Sequence, residues 1–424
     1  MEPISAVTRN IRKWSFRQED TAAAKGVAIA LMLVHHAFLF NERIADEFAQ
    51  FSYITVGSTD LMKIIAFYGK ICVAMFLFLS GFGLMKSRGG SVGERVFKSL
   101  KKFMFAYWKV LFIFVPVGFL FFSSMPHDYA DLSYIAVWKD RSFSTAVLSF
   151  LGFSESYNHE WWFVSVFIIT IFTMPIAERL LRKSGNFYSG LACIALIEII
   201  FTAIIPYLAS DSFPIDMSRS FIFEHIIKLL TLSTPFYMGM LMGINNNFEI
   251  LHDILKKNSL DSPLASIALL TISAFIRMPS VLGETIDPFI VPIIIISIKS
   301  LFDALPRFFK GIFIHLGRHS TTMWLTHTFI LCYYCKALQG FIMFQHWWII
   351  TWIWFIVVSF VISFIFDKTF DLLFKFFNVL ILKYVPFFKI ILLVFVLFFR
   401  IICFGLKKAI SLIIRPIAFL LLSL

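Results

Sequence analysis

The chain has 424 residues, of which 59% are hydrophobic and only 15% charged, with a mean hydropathy of +0.83. Those proportions lie well outside the range of a soluble globular domain and place the chain in a lipid bilayer. The net charge of +12 then reads as an orienting device and an attraction to anionic membrane lipids, and nucleic acid is not needed to explain it.

Apolar stretches long enough to cross a hydrocarbon core of roughly 30 Å as helices recur along nearly the whole length. They predict ten spans, near 22–41, 64–85, 103–123, 161–177, 188–209, 222–244, 262–277, 288–303, 311–335 and 346–366. The fold class is therefore all-α, a polytopic integral membrane helical bundle, and the lack of short alternating strands excludes a barrel. The first span follows Arg9, Arg12, Lys13 and Arg17 without a small-residue cleavage site, so it is expected to be retained, with the N-terminus cytoplasmic. On that choice the cytoplasmic loops carry about three times as many Lys and Arg as the opposite ones, as the positive-inside rule requires. A multi-pass protein of the cell membrane is expected.

Three segments follow from this pattern: a cytoplasmic stretch at 1–21, the ten-helix domain at 22–366, and a basic amphipathic tail at 367–424. In the tail, Lys383, Lys389, Arg400, Lys407, Lys408 and Arg415 interrupt the apolar residues, which suits helices lying in the interface, with one further span around 388–406 as the alternative. The longest outer loop, about 124–160, carries His127, Asp128, Asp131, Asp140, Glu155, His159 and Glu160 and is large enough to cap a cavity. Inside it "STAVLSFLGF" (144–153) is too short to cross and reads as a re-entrant or interfacial segment.

Ionisable residues inside the spans usually face a bundle interior or water. Lys25 and His36 are eleven residues apart, three helical turns plus about 20°, so they share one face roughly 16 Å apart. His35 points about 80° away from the start of that stripe, so at most one of the two histidines looks straight along it. On the ninth span, Arg318 and His319 stand at its cytoplasmic end, and His327 lies about 12 Å further along and 80° round. Lys98, Lys101 and Lys102 gather before the third span, while His159, Glu160, Trp161 and Trp162 lie at the outer surface, where aromatic rings mark the interface and can also stack on sugars. Lys70, Glu198 and Lys228 lie within apolar runs and require partners.

Several chemistries lack their signatures. His35 and His36 diverge by about 100°, and no HExxH or clustered carboxylates complete a zinc site, so no metal is expected. "SRGGSVGERV" (87–96) lies between membrane helices and not after a strand, which argues against a phosphate-cradling loop. Cys332 and Cys335 sit at a span end without a soluble redox domain around them.

The segment "KGVAIALMLVHH" (25–36) resembles the first-helix signature of the acyltransferase 3 family, integral membrane proteins that O-acylate cell-surface glycans. Further resemblances follow in that family's order: "FLFLSGFGLMKS" (76–87), "FKSLKKFMFAYW" (97–108), "HEWWFVSVFIITIFTMP" (159–175) and "LGRHSTTMWLTHTFI" (316–330). The sequence departs from the family pattern in two places. Position 22, where an acid is common, is Ala, with Glu19 and Asp20 the nearest acids; and the usual arginines before the third helix are Lys98, Lys101 and Lys102. Lysine keeps the charge but loses the bidentate fork that suits phosphate.

The resemblance implies an O-acyltransferase, with acetyl the commonest acyl group and hence an O-acetyltransferase expected, whose donor is acetyl-CoA or another acyl-CoA made in the cytosol. Its phosphates would meet Lys25, Lys98, Lys101, Lys102 and Arg318. Transfer to a sugar hydroxyl needs a base near neutrality, which points to His36, with His35 beside it, either as general base or as a transient acyl carrier. His159, Glu160, Trp161, Trp162 and His327 would then contact the glycan or lipid-linked glycan acceptor. A transporter or flippase for such a glycan is the alternative, since buried charge and a capped cavity suit it equally; a polysaccharide polymerase would want more outer-loop arginines than Arg141.

Overall fold

The structure is a computed structural model that describes residues 14–40, 43–44, 48, 54–56, 59–87, 89–121, 142–204, 231–278, 282–331 and 336–384. By contacts, Met1–Val361 forms one compact unit and Ile362–Leu424 a second. The helices in chain order are α1 (Gln18–Phe38), α2 (Leu61–Gly69), α3 (Ile71–Lys86), α4 (Val92–Phe121), α5 (Phe143–Leu151), α6 (Trp162–Lys183) and α7 (Phe187–Ile199). They continue with α8 (Thr234–Gly243), α9 (Asn247–Lys257), α10 (Pro263–Ile276), α11 (Asp287–Ala304), α12 (Arg307–Leu331), α13 (Lys336–Met343) and α14 (Trp348–Tyr384). The only strands among the described residues, Thr55–Val56 and Thr59–Asp60, form a small antiparallel pair before α2.

Helix ends carry the expected chemistry. Asp20 accepts the Arg17 backbone N–H at 2.7 Å, placing a carboxylate in the first turn of α1. Ser142, Asn186 and Ser262 cap α5, α7 and α10 through their side chains, the last with Pro263 in the first turn, and Gly152 closes α5 in the left-handed region at φ 81°.

Six helices among the described residues are long and apolar enough to cross a membrane: Gln18–Phe38, Leu61–Lys86, Val92–Leu120, His159–Lys183, Gly283–Ala304 and Trp348–Phe376. The other four expected spans are not among these six. Those at 188–209 and 222–244 run into residues outside the described ones; 262–277 is a helix of only 14 residues, about 21 Å long; and α12 is long enough but too polar, since it carries His315, Arg318, His319 and His327. The helix beginning at Trp348 passes the expected boundary at 366 and reaches Tyr384, because no Gly or Pro occurs before Pro386. The segment expected to be re-entrant is α5, which exposes Phe143 and Leu151 while Tyr107 and Trp108 of α4 donate to the carbonyls of Ser149 and Phe150. Arg9, Arg12, Lys13, His127, Asp128, Asp131, Asp140, Lys228, Cys332, Cys335 and the tail beyond Tyr384 lie outside the described residues.

Within the first unit α1 is central, lying along α12 and touching α2 and α3, while α3 lies along α8 and α4 bridges α6 and α12. The α1–α12 pairing is a backbone approach: a side chain on Gly26 would collide with the Phe313 carbonyl, and one on Gly317 with the Ala22 carbonyl. Bilayers favour such small-residue contacts because helix association there rests on packing. This contact sets the register of the site, since His36 and His327 each stand ten residues, about 15 Å, beyond their glycine on parallel helices.

At the basic end of α1, buried Asp20 pairs with Lys310, and Lys299 lies 3.9 Å away. Burial works against the Lys310 ammonium, but the hydrogen bond and charge of Asp20, with Asp303 behind them, leave its pKa raised above the ordinary 10.5. Trp14 stacks on His252 of α9 at 4.4 Å between ring centres and tethers the chain leading into α1.

Candidate active site

The expected single span at 64–85 is broken between α2 and α3. At the break the Lys70 N–H reaches the Phe67 carbonyl, three residues back, and the Ala66 carbonyl turns instead to His35 Nδ1 at 2.9 Å. Arg277 Nη1 donates to the Phe67 carbonyl at 3.3 Å. A helix end in the membrane must find such donors. His35, expected beside His36 as a catalytic candidate, is thus engaged on the α2 side.

His36 faces the other way. Its ring is buried, its Nε2 lies 3.6 Å from Glu160 Oε2, and its Nδ1 is buried with no hydrogen-bond partner. The other oxygen of Glu160 pairs with Arg43, whose guanidinium lies 4.1 Å from the centre of the Phe40 ring. His327 meets His36 across the α1–α12 seam with ring centres 4.7 Å apart. Its Nδ1 donates to the Trp324 carbonyl at 2.6 Å, so in the neutral ring Nε2 carries a bare lone pair, and that atom too is buried without a partner. Two imidazoles, a carboxylate and a guanidinium therefore meet inside an apolar bundle.

The carboxylate is positioned by a lattice of hydrogen bonds to α12. Glu160 and Trp161 lie in a one-turn 3-10 helix, His159–Trp161, leading into α6. Asn158 accepts the Glu160 backbone N–H at 3.0 Å and donates to Thr328 at 2.7 Å, and the Trp161 indole donates to the Leu325 carbonyl at 3.2 Å. Arg43 is held in turn by Gln339, which donates to its backbone carbonyl at 2.9 Å.

The sequence candidates divide. His36, Glu160 and His327 converge, and Trp161 buttresses them between Tyr107 and Phe329. His159 does not join them, since its side chain is 42% exposed and its Nδ1 meets Glu155 at 3.2 Å; Trp162 turns to a separate cavity. Lys25 is half-buried on α1 within electrostatic range of Lys102, while Lys98, Lys101, Lys102 and Arg318 are exposed. Arg43, Asn158 and Thr328 were not anticipated. Asn158 precedes "HEWW" directly and could have been read as its cap; Arg43 lies beyond the first helix and is joined to Glu160 only by the fold.

The sequence profile of the acyltransferase 3 family, described as an acyltransferase domain, matches residues 22–368. The chain belongs to the acyltransferase 3 family. No curated protein and no solved structure matches it. The family match runs from α1 into α14 and so takes in every residue of the buried centre, and membership makes the protein an acyltransferase with multiple membrane helices.

Proposed function

We propose that this protein moves an acyl group, acetyl being the best candidate, from acyl-CoA to a hydroxyl of a cell-surface or lipid-linked glycan, with His36 as the base. The observation that carries the reading is the His36 environment: one ring nitrogen facing a carboxylate that Arg43 holds in place, the other unpartnered and buried. With its proton on Nε2, toward Glu160, the ring offers the Nδ1 lone pair to the acceptor hydroxyl. The hydroxyl proton passes to Nδ1 as its oxygen bonds to the thioester carbon. The C–S bond then breaks, and the proton leaves His36 for the departing CoA sulfur. Glu160 supports the imidazolium that exists between the two transfers.

The donor end of the reading rests on position. Lys25 stands on the face of α1 that leads to His36, and Lys98, Lys101, Lys102 and Arg318 are exposed and basic, as the phosphates of CoA would require. On the proposed orientation that end faces the cytoplasm, where acyl-CoA is made, and His36 lies about 16 Å further in. His35 serves the helix break and His159 the rim; Glu160, Trp161 and His327 shape the chamber that receives the acceptor hydroxyl.

Purified protein in proteoliposomes, given acetyl-CoA labelled in the acetyl group and glycan extracted from the host envelope, should move label into the glycan and release free thiol. Movement of unmodified glycan across the bilayer without either signal would refute the reading and favour a flippase.

A further inference from the structure

Apart from the His36 centre, a cavity of about 320 Å³ opens between α3, α6, α7, α8 and α11. That volume is at the small end of the range for ligand pockets, roughly 300–1,000 Å³. Its polar lining includes Lys70, Glu198, Glu284 and Asp287 with Thr202, Thr231 and Thr285, and Trp162 contributes an aromatic wall. Two of the three carboxylates are neutralised. Glu284 meets Lys70 at 2.7 Å, and Asp287 accepts two hydrogen bonds from the buried guanidinium of Arg277, at 2.8 and 3.1 Å.

Glu198 is different. It is 7% exposed, its Oε2 is buried without a hydrogen-bond partner, and it forms no ion pair among the described residues. A carboxylate withdrawn from water inside a membrane bundle needs donors; the Thr234 side chain interacts with it, and the cavity is left to supply the donor that Oε2 lacks. An inorganic cation would require several oxygen ligands at once, whereas the other two carboxylates are already paired with Lys70 and Arg277. A ring with neighbouring hydroxyls meets the demand by donating to the carboxylate while a C–H face lies against Trp162.

We infer that this cavity binds a single sugar ring of the acceptor, recognised by Glu198 and Trp162. The inference rests on the acyltransferase reading for its purpose, because it places a glycan beside the His36 centre. Lys70 lies one turn beyond Ala66, whose carbonyl holds His35, and Trp162 lies two residues beyond Glu160.

The test is ligand-observed saturation-transfer NMR on the full chain in lipid nanodiscs free of sugar-headed detergent, with glucose, galactose and glucosamine each at millimolar concentration as probes. At least one sugar should show transfer to its ring protons; the apparent Kd should rise about tenfold in Glu198→Gln, the near-isosteric variant, and the signal should vanish in Glu198→Leu. His36→Ala should keep the signal, since that ring does not line the cavity. Absence of any signal in the wild type, a signal unchanged by both Glu198 variants, or its loss in His36→Ala would each overturn the inference. Acyl transfer measured on the same wild-type preparation separates the two ideas: sugar binding without acyl transfer would sink the enzymatic reading and leave the pocket standing.

Discussion

Glu160→Gln isolates the electrostatic contribution to the proposed chemistry, because it keeps the shape of the side chain and removes only its charge. At the 3.6 Å separation from His36 Nε2, a full charge pair is worth about 4–5 kcal/mol at an effective permittivity of about 20. Arg43, on the far side of the carboxylate, opposes the imidazolium and cancels part of that stabilisation. About 3–4 kcal/mol should therefore be lost from the intermediate that carries a proton on both ring nitrogens, which lowers the rate roughly 100-fold to 1,000-fold. The assay is thiol release from acetyl-CoA by proteoliposomes in the presence of acceptor glycan, with the amount of folded protein checked by size-exclusion profile. A Glu160→Gln rate within threefold of wild type would show that the carboxylate only holds Arg43, and the reasoning would fail.

Other expectations follow from single contacts. Gly26→Leu drives a side chain into the Phe313 carbonyl and forces α1 and α12 apart, so the variant should lose acyl transfer and melt several degrees lower, whereas Gly311→Leu, on the same α12 but facing open space, should not. If Lys25 meets the CoA phosphates as proposed, Lys25→Gln should raise the KM for acetyl-CoA several-fold while leaving kcat within about twofold, since it would remove one donor contact and no reacting group. Asp20→Asn leaves Lys310 without its counter-charge and should cost about 1–3 kcal/mol of stability at neutral pH. Because the Lys310 pKa is raised on folding, that contribution is fully present below about pH 10.5 and disappears as the pH climbs past the raised value, so wild type and variant should converge in melting temperature in strong alkali.

Much of the architecture was legible because a bilayer leaves few options. Long apolar runs interrupted by basic loops could only be helices, and the eleven-residue spacing from Lys25 to His36 sets both on one face of a helix by arithmetic alone. The same arithmetic limited what His35 could do, and the structure finds it bonded to Ala66 on the neighbouring side. Other features left no trace in hydropathy. The break at Lys70 lies inside a continuous apolar run, and the need for His35 and Arg277 to satisfy its carbonyls becomes visible only when the two helices are placed side by side.

Glu160 was read as a surface group beside interfacial tryptophans, yet the 3-10 turn aims it inward, and its cation comes from 117 residues earlier in the chain. Pairing over such a separation is set by tertiary packing and not by local pattern. The partner of Lys70 was equally out of reach: Glu284 lies in the 3-10 turn Gly283–Ile286 that leads into α11, itself packed against α3. Six of the ten expected spans are long apolar helices among the described residues, while polar residues dilute α12 and α10 is only 14 residues long.

The central claim is that the His36 ring removes the proton from the acceptor hydroxyl, and the most direct measurement is label transfer from acetyl-CoA to glycan by His36→Gln protein that folds and inserts like the wild type. The account predicts a loss of at least 1,000-fold, with His327→Gln falling less far. Transfer by His36→Gln at a rate comparable with wild type would contradict it.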